Sequence, residues 1–410
     1  VAPGGIAGLL CPSGIAADKG ASAFFRTLTT PDETRAARLA ALYDFENKKV
    51  FFPDIHASFK FCALVFGGAN WRFPQVRCAF YLHDGADLAD PERVLQLTGE
   101  DFQRVNPNTG AAPIFRTPRD AELTMQIYRR HPVLVNRSGG GEQRIWPLRY
   151  TTMFHMTNDS HLFLKRAEVE KTGAGVVPLF VGRMIHQYDH RFANVNVNEA
   201  NLHNAAFGAT LTEVQKADPT FTPEPQYWVH PDTVPEDRRL SWALGFREIA
   251  RATDARTMIA AIVPGTAAGN KLPLLLPEPG QEFKYAHMAA MLLANLNSLA
   301  FDFIARQKVQ STTINLFILE QLPVIAPAAF AGEIGGAGIA DFIRDEVLAL
   351  SYTAHDLAPF ARDLGYVDED GAARPPFPWN AADRAQRMAR LDALFFHLYG
   401  LSTADADYIL

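Results

Sequence analysis

The chain has 410 residues, of which 48% are hydrophobic and 20% charged, and a formal net charge of −6. That length exceeds a single hydrophobic core, and the composition excludes a mainly disordered chain. The acidic balance excludes a uniformly basic nucleic-acid coat, yet a local arginine patch suffices to track phosphates, so DNA binding stays open.

Near the N-terminus, GGIAGLLCP (4–12) is an apolar run bounded by glycines and Pro12. It predicts a fully buried strand of a largely parallel sheet. Asp18 is placed to cap a helix over KGASAFFRTL. RAARLAALYDFEN (35–47) reads as a helix running into a strand. FKFCALVFG (59–67) and VRCAFYLHD (76–84) predict two further strands, close enough to pair as a hairpin. A complete doubly wound domain needs more βα units than this, so the order is that of the tail of an α/β domain. After a turn at Asn106–Gly110, TPRDAELTMQIYRRHP (117–132) predicts a helix. Thr117 is its cap, Pro118 its first residue, and Asp120 closes the capping box. NRSGGGEQR (136–144) predicts a linker and a domain boundary.

From 145 to 325 the pattern is strands and loops, including RYTTMFHM, HLFLKR, GVVPLFVGRMI, QYWVHP, LGFREIAR and TMIAAIVP. AHMAAMLLANLNSLAFDFIA (286–305) follows as a long apolar helix, then a short LFILEQLPV (316–324). Asn295, Asn297 and Asp302 interrupt the apolar run, and Arg306 and Lys308 follow it closely. The expectation is a buried helix with no membrane involved. A glycine-rich hinge at 330–340 leads into a helical remainder. Phe342, Ile343 and Val347 form one stripe there. Met388, Leu391, Leu394, Phe395 and Leu398 form another, with Asn380 as cap and Gly400 as stop.

The three cysteines, Cys11, Cys62 and Cys78, lie in apolar strand-like segments. So sparse and odd a set predicts a reducing cytoplasm and no disulfide framework. HQYDH (186–190) has no matching second ligand set, and no metal site is expected. No GxGxxG after a strand, GxxxxGK[ST], HExxH or GxSxG occurs. Pro53–Asp54 with Lys60 only faintly suggests a nuclease, since no acid stands two residues before the lysine.

The informative residues are polar ones at the ends of apolar segments. VGRMIHQYDHRF (181–192) carries Arg183, His186, His190 and Arg191. LGFREIARATDARTMIAAIVP (244–264) carries Arg247, Arg251 and Arg256, and FIARQKVQSTT (303–313) carries Arg306, Lys308 and Thr312. These are the residue types that position phosphates and read base edges. A solvated surface of internal ion pairs would show the same composition, because Glu248 and Asp254 sit among the arginines.

RMIHQYDHRFA, REIARATDARTMIAAIVP, LLANLNSLAFDFIARQKVQSTTINLFILEQLPV and LDALFFHLYGLSTADADYIL occur here in that order. With them the chain resembles, over essentially its whole length, the C-terminal half of large Type IIG or Type ISP-like restriction–modification methyltransferases. That group acts on adenine in DNA and has relatives in phage defence. The resemblance implies an α/β fold in which residues 1–135 are the distal part of a Rossmann-like methyltransferase sheet. Residues 136–330 would be a mixed α+β target-recognition domain and 331–410 a helical C-terminal module. It also bears on FFPDIHASFKFCALVF (51–66), whose two leading phenylalanines would otherwise read as core. Family members flip the target adenine out of the duplex. The matching stacking position is Phe52, before Pro53, while Phe51 would turn into the core as its neighbour in extended chain. Lys60 follows among the expected DNA contacts.

The family's cofactor glycine motif and its Asn-Pro-Pro-Tyr motif are missing, Asn106–Pro107 being the one Asn-Pro pair. No catalytic residue is therefore expected in this chain, which starts at Val1 and reads as a fragment. S-adenosylmethionine would serve the intact enzyme and is not expected to bind this fragment well. The expected partners are double-stranded DNA and other restriction or defence subunits, in the cytoplasm. The alternatives are a non-catalytic DNA-recognition subunit and a purely structural interaction protein.

Overall fold

The computed structural model describes residues 1–410 except 18, 139, 173–174, 198–205, 266 and 310–311. The chain forms two compact units, Val1–Gln143 with Phe317–Pro323, and Arg144–Leu316 with Val324–Leu410. The segment 317–323 thus belongs to the first unit, and the C-terminal helices belong to the second.

The first unit is built on five strands, β1 (Ile6–Pro12), β2 (Leu39–Glu46), β3 (Lys60–Gly67), β4 (Val76–Leu82) and β5 (Leu95–Leu97), in the order β1-β3-β2-β4-β5. Only β2 and β4 pair in parallel; β3 is antiparallel to β1 and β2, and β5 to β4. It follows that β1, β2 and β4 all point the same way and end at one edge of the sheet. Three expectations are corrected here. Segments 59–67 and 76–84 do not form a hairpin, because β2 lies between them. Leu39, Ala41, Leu42 and Phe45 are buried along β2, the near-continuous apolar pattern of a strand inside a sheet, and its backbone pairs with β3 along one edge and β4 along the other. The helix expected at the start of segment 35–47 does not form, since Arg35 adopts a left-handed backbone (φ 63°) and Ala37 bridges to Phe73. Nor is β1 buried: Ile6, Leu9 and Leu10 are 52%, 47% and 69% exposed on an edge with no described partner.

Helices α1 (Ser22–Thr29), α2 (Gly99–Val105) and α3 (Pro118–Arg130) accompany this sheet. Phe25, Leu28 and Phe102 are essentially sealed from solvent, each such burial being worth roughly 1.5–3 kcal/mol. The expected Asp18 cap lies outside the described residues. The box at Thr117 forms as its sequence predicts, with Thr117 Oγ1 accepting from Asp120 N–H. Gln321 fastens the returning segment, its Oε1 accepting from the backbone N–H of Asn108 (3.1 Å) and Thr109 (3.3 Å).

The second unit holds an antiparallel sheet of β6 (Leu148–Thr151), β9 (Trp242–Phe246), β10 (Ala260–Pro264) and β12 (Leu274–Pro277). A smaller sheet joins β7 (Val177–Phe180), β8 (Trp228–Val229) and β11 (Ala267–Ala268). Phe180, Met184, Ile185, Val263 and Leu274 form a shared core. The long apolar segment is two helices, α4 (Tyr285–Asn297) and α5 (Leu299–Lys308), bent by 66°. Ser298 takes an extended conformation and caps α5 by accepting from Phe301 N–H, which ends α4. No single helix among the described residues is long and apolar enough to cross a membrane. The asparagines that interrupt the run are buried and fully engaged. Asn297 exchanges two hydrogen bonds with the backbone of Ala260, while Asn295 accepts from Ile325 N–H and donates to Tyr399.

At the expected hinge, Glu333–Ile334 and Ala337–Gly338 pair as a hairpin across Gly335 and Gly336. Both glycines have positive φ (59° and 83°), as a two-residue turn of this hand requires. The stripes on α6 (Ile339–Ser351) and α7 (Ala381–Leu398) are buried at Ile343, Val347, Leu391, Leu394 and Phe395. Asn380 caps α7 by accepting from Asp383 N–H.

Candidate nucleic-acid interface

Between β2 and β3 the chain makes a thirteen-residue excursion (47–59) organised by one buried side chain, Asn47. Its Nδ2 donates to the carbonyl oxygens of Phe52 (2.8 Å) and Ile55 (3.1 Å), and its Oδ1 accepts from Phe52 N–H (2.9 Å). Lys48 and Lys49 turn the chain with left-handed backbones. Phe51 is half-buried, its ring centroid 5.2 Å from those of Phe45 and Phe61. Phe52 is 39% exposed and sets its edge on Phe61 at 5.2 Å, with Pro53 exposed beside it. The inward and outward placement of the two rings is therefore as the sequence suggests, but its cause differs. Residues 51–55 form turns, not a strand, so pleat alternation does not orient them; Asn47 does. The signal for this residue was a short amide directly after an apolar strand.

Asn47→Ala is expected to cost about 1–3 kcal/mol, the penalty for leaving buried backbone groups unpaired. Faster amide exchange across 48–58, with the strands still protected, would show it; unchanged exchange would refute the anchoring role.

In the second unit most of the predicted DNA contacts serve the fold. Arg191 is fully buried and donates to the carbonyls of Lys216 (2.8 Å), Asp218 (2.8 Å), Phe221 (3.1 Å) and Thr353 (2.9 Å). His190 is buried too, with Nε2 on the Asp356 carboxylate at 2.9 Å. Arg247 is half-buried and donates to Gly182 O and Ile185 O. Arg306 donates to Asp302 (2.9 Å) and to the carbonyls of Ala252 and Ala255, anchoring the turn that follows Arg251. Arg256 is half-buried, 3.8 Å from Asp392. None of these guanidinium groups is presented for phosphates, because a planar five-donor group also satisfies backbone carbonyls where loops meet a core.

Two other candidates are desolvated. The ring of His186 lies 4.7 Å from that of Phe192, and burial, aided by Arg247, lowers its pKa to about 4. It is neutral at pH 7. Burial also holds the ammonium of half-buried Lys308 well below its ordinary pKa. In the first unit, Lys60 is half-buried with Nζ 4.7 Å from the Tyr81 ring centroid.

Arg183, Arg251 and Thr312 are exposed. The turn carrying Arg251 is held by Thr257 and Met258 N–H donating to Asp302, and Ala250 N–H donates to Thr312 O. Arg183 and Asp254 both act electrostatically on Arg247, which places Arg183 and the Arg251 turn around one residue. These three are the exposed members of the expected set in the second unit. The neighbouring Gln310 and Ser311 lie outside the described residues.

β1 is followed by Ser13, whose Oγ donates to buried Asp44. Among the described residues no group of three His, Cys, Asp or Glu side chains could hold a metal ion.

No family model and no curated protein matches the chain. Among solved structures it is similar to the Type IIL restriction–modification enzyme MmeI in complex with DNA, with a TM-score of 0.41 and 10% identity. The likeness covers 97% of this chain and 47% of that one, so the chain spans about half the length of that enzyme. At that level the likeness decides neither fold nor function.

Proposed function

We propose that this chain is the distal, DNA-facing part of a site-specific DNA adenine methyltransferase of restriction–modification or phage defence. In this reading Phe52 stacks on the flipped adenine, and Arg183, Arg251 and Thr312 contact duplex DNA. The observation that carries it is Phe52 itself: a large aromatic ring left exposed beside the ends of β1, β2 and β4, on a loop tied down by Asn47. Ligands of open α/β sheets gather at such strand ends, and an aromatic face grips any flat base. The bare edge of β1 supports the same reading, because a long apolar edge strand is a template for a further strand. Methyl transfer would then depend on groups this chain does not supply.

The test uses the full chain and a duplex bearing 2-aminopurine opposite an abasic site, where flipping costs little. Phe52→Ala should weaken binding about 5–150-fold, the equivalent of ~1–3 kcal/mol per stacked base, and Phe52→Trp should retain it. Equal affinities for wild type and Phe52→Ala would sink the reading. A non-catalytic recognition subunit is the second reading, supported by exposed Arg183 and Arg251; it predicts duplex binding that ignores Phe52 but weakens in Arg251→Ala.

A further inference from the structure

Two thiols of the first unit face each other at the edge of its sheet. Cys11 and Cys62 are register partners in the antiparallel β1–β3 ladder, and their Sγ atoms lie 3.8 Å apart. Two residues further on, Ser13 N–H donates to Lys60 O at 3.3 Å. Bonded pairs alternate along such a ladder, so Cys11 and Cys62 form a hydrogen-bonded pair, with Cα atoms about 5.5 Å apart. That separation falls within the range a disulfide spans. Side-chain rotation alone can therefore bring the sulfurs to bonding distance, with the strands left in place.

The two thiols differ in their surroundings. Cys11 is half-buried and lies on the bare edge strand, which makes it the more open of the two. Cys62 is 1% exposed, on the strand between β1 and β2, opposite Asp44. Burial, with Cys11 and Asp44 adding to it, pushes the Cys62 thiol far above its ordinary pKa. The thiolate is the reactive form, so chemistry begins at Cys11 and ends at Cys62. Cys78 is 0% exposed and has Leu42 and Leu95 as its register partners, so no cysteine stands across from it.

We propose that Cys11 and Cys62 are a redox-sensitive pair, joined as a cross-strand disulfide by low-molecular-weight disulfides such as oxidised glutathione. The Cys11 thiol gives its proton to water, and its sulfur attacks the reagent. A mixed disulfide forms and one thiolate leaves. The Cys62 sulfur then attacks the Cys11 sulfur, the bond to the reagent breaks, and the Cys62 proton departs with the second thiol. Two protein thiols are oxidised, and one reagent disulfide is reduced to two thiols. The bond links residues 51 positions apart, which restricts the unfolded chain and staples β1 to the sheet. It is independent of the reading of Phe52, because Cys62 and its neighbour Phe61, on which Phe52 rests, face opposite sides of β3.

The reduced full chain is incubated in glutathione buffers of rising oxidised fraction and quenched with acid. Its thiols are then counted by alkylation after denaturation. Wild type should fall from three free thiols to one, with a single cross-linked peptide joining Cys11 to Cys62. Cys62→Ala should instead hold glutathione as a mixed disulfide on Cys11, and Cys11→Ala should keep both remaining thiols free. Oxidised wild type should melt about 5–15 °C above the reduced form, with no such shift in Cys11→Ala. Three free thiols in folded wild type at every ratio would overturn the pair. A bridge to Cys78, or one that forms only in urea, would do the same. If Cys62→Ala does not fold, the thiol count of wild type against Cys11→Ala still decides.

Discussion

Arg191→Met should destabilise the second unit by about 3–5 kcal/mol, as expected when a buried charged donor is removed and its acceptors stay behind. Four carbonyls, those of Lys216, Asp218, Phe221 and Thr353, would lose their donor in a region where Arg191 is itself fully buried. Asp189, which accepts from Arg191 N–H and from Lys216 Nζ, would lose a neighbouring cation as well. Methionine fills similar volume, so the loss reports polar pairing more than a cavity. Denaturant unfolding measures it. A variant as stable as wild type but weakened in DNA binding would show that the sequence expectation was right and the structural role wrong.

The second large effect is a pH dependence centred on Asp392 of α7. Burial raises its pKa to about 6; Leu299 N–H and Arg256 favour the charged form, while Asp302 opposes it. In the unfolded chain an aspartate titrates near ~3.9. Because the folded pKa lies above the unfolded one, the folded state holds a proton that the unfolded state has released between these values. The associated stability is complete below about pH 4 and is lost as pH rises through about 6. Two units correspond to at most about 3 kcal/mol. Asp392→Asn, which mimics the protonated acid and keeps an acceptor for Leu299 N–H, should therefore match wild type near pH 4. At pH 7 it should be more stable by about 2–3 kcal/mol. Urea unfolding at successive pH values checks this, and a variant less stable than wild type at pH 7 would contradict it.

The pattern of successes among the candidate residues has a physical cause. Thr117, Asn380 and Gly400 act locally: each satisfies or ends the helix next to it, so its role is legible from its immediate neighbours. Arg191, Arg247 and Arg306 bond to backbone carbonyls far along the chain, and no local pattern separates such a residue from one that faces phosphates. Arg251 and Arg306 look alike in sequence, each beside polar residues at the end of an apolar run. Only the turn closed by Asp302 makes one exposed and the other an anchor.

By itself the sequence determined the elements whose forces are local: helix caps, apolar stripes, most strands, and the polar breaks in the apolar run at 286–305. Tertiary structure decided which strand is central, which edge is bare, and which cations are spent on carbonyls. The reason is that strand order, burial and long-range hydrogen bonding are set by which surfaces meet, and a residue's neighbours in sequence do not specify its neighbours in space. Tyr81 is the sharpest case: an ordinary tyrosine in an apolar strand acquires the cations Lys60 and Arg116 only when β3, β4 and the approach to α3 come together.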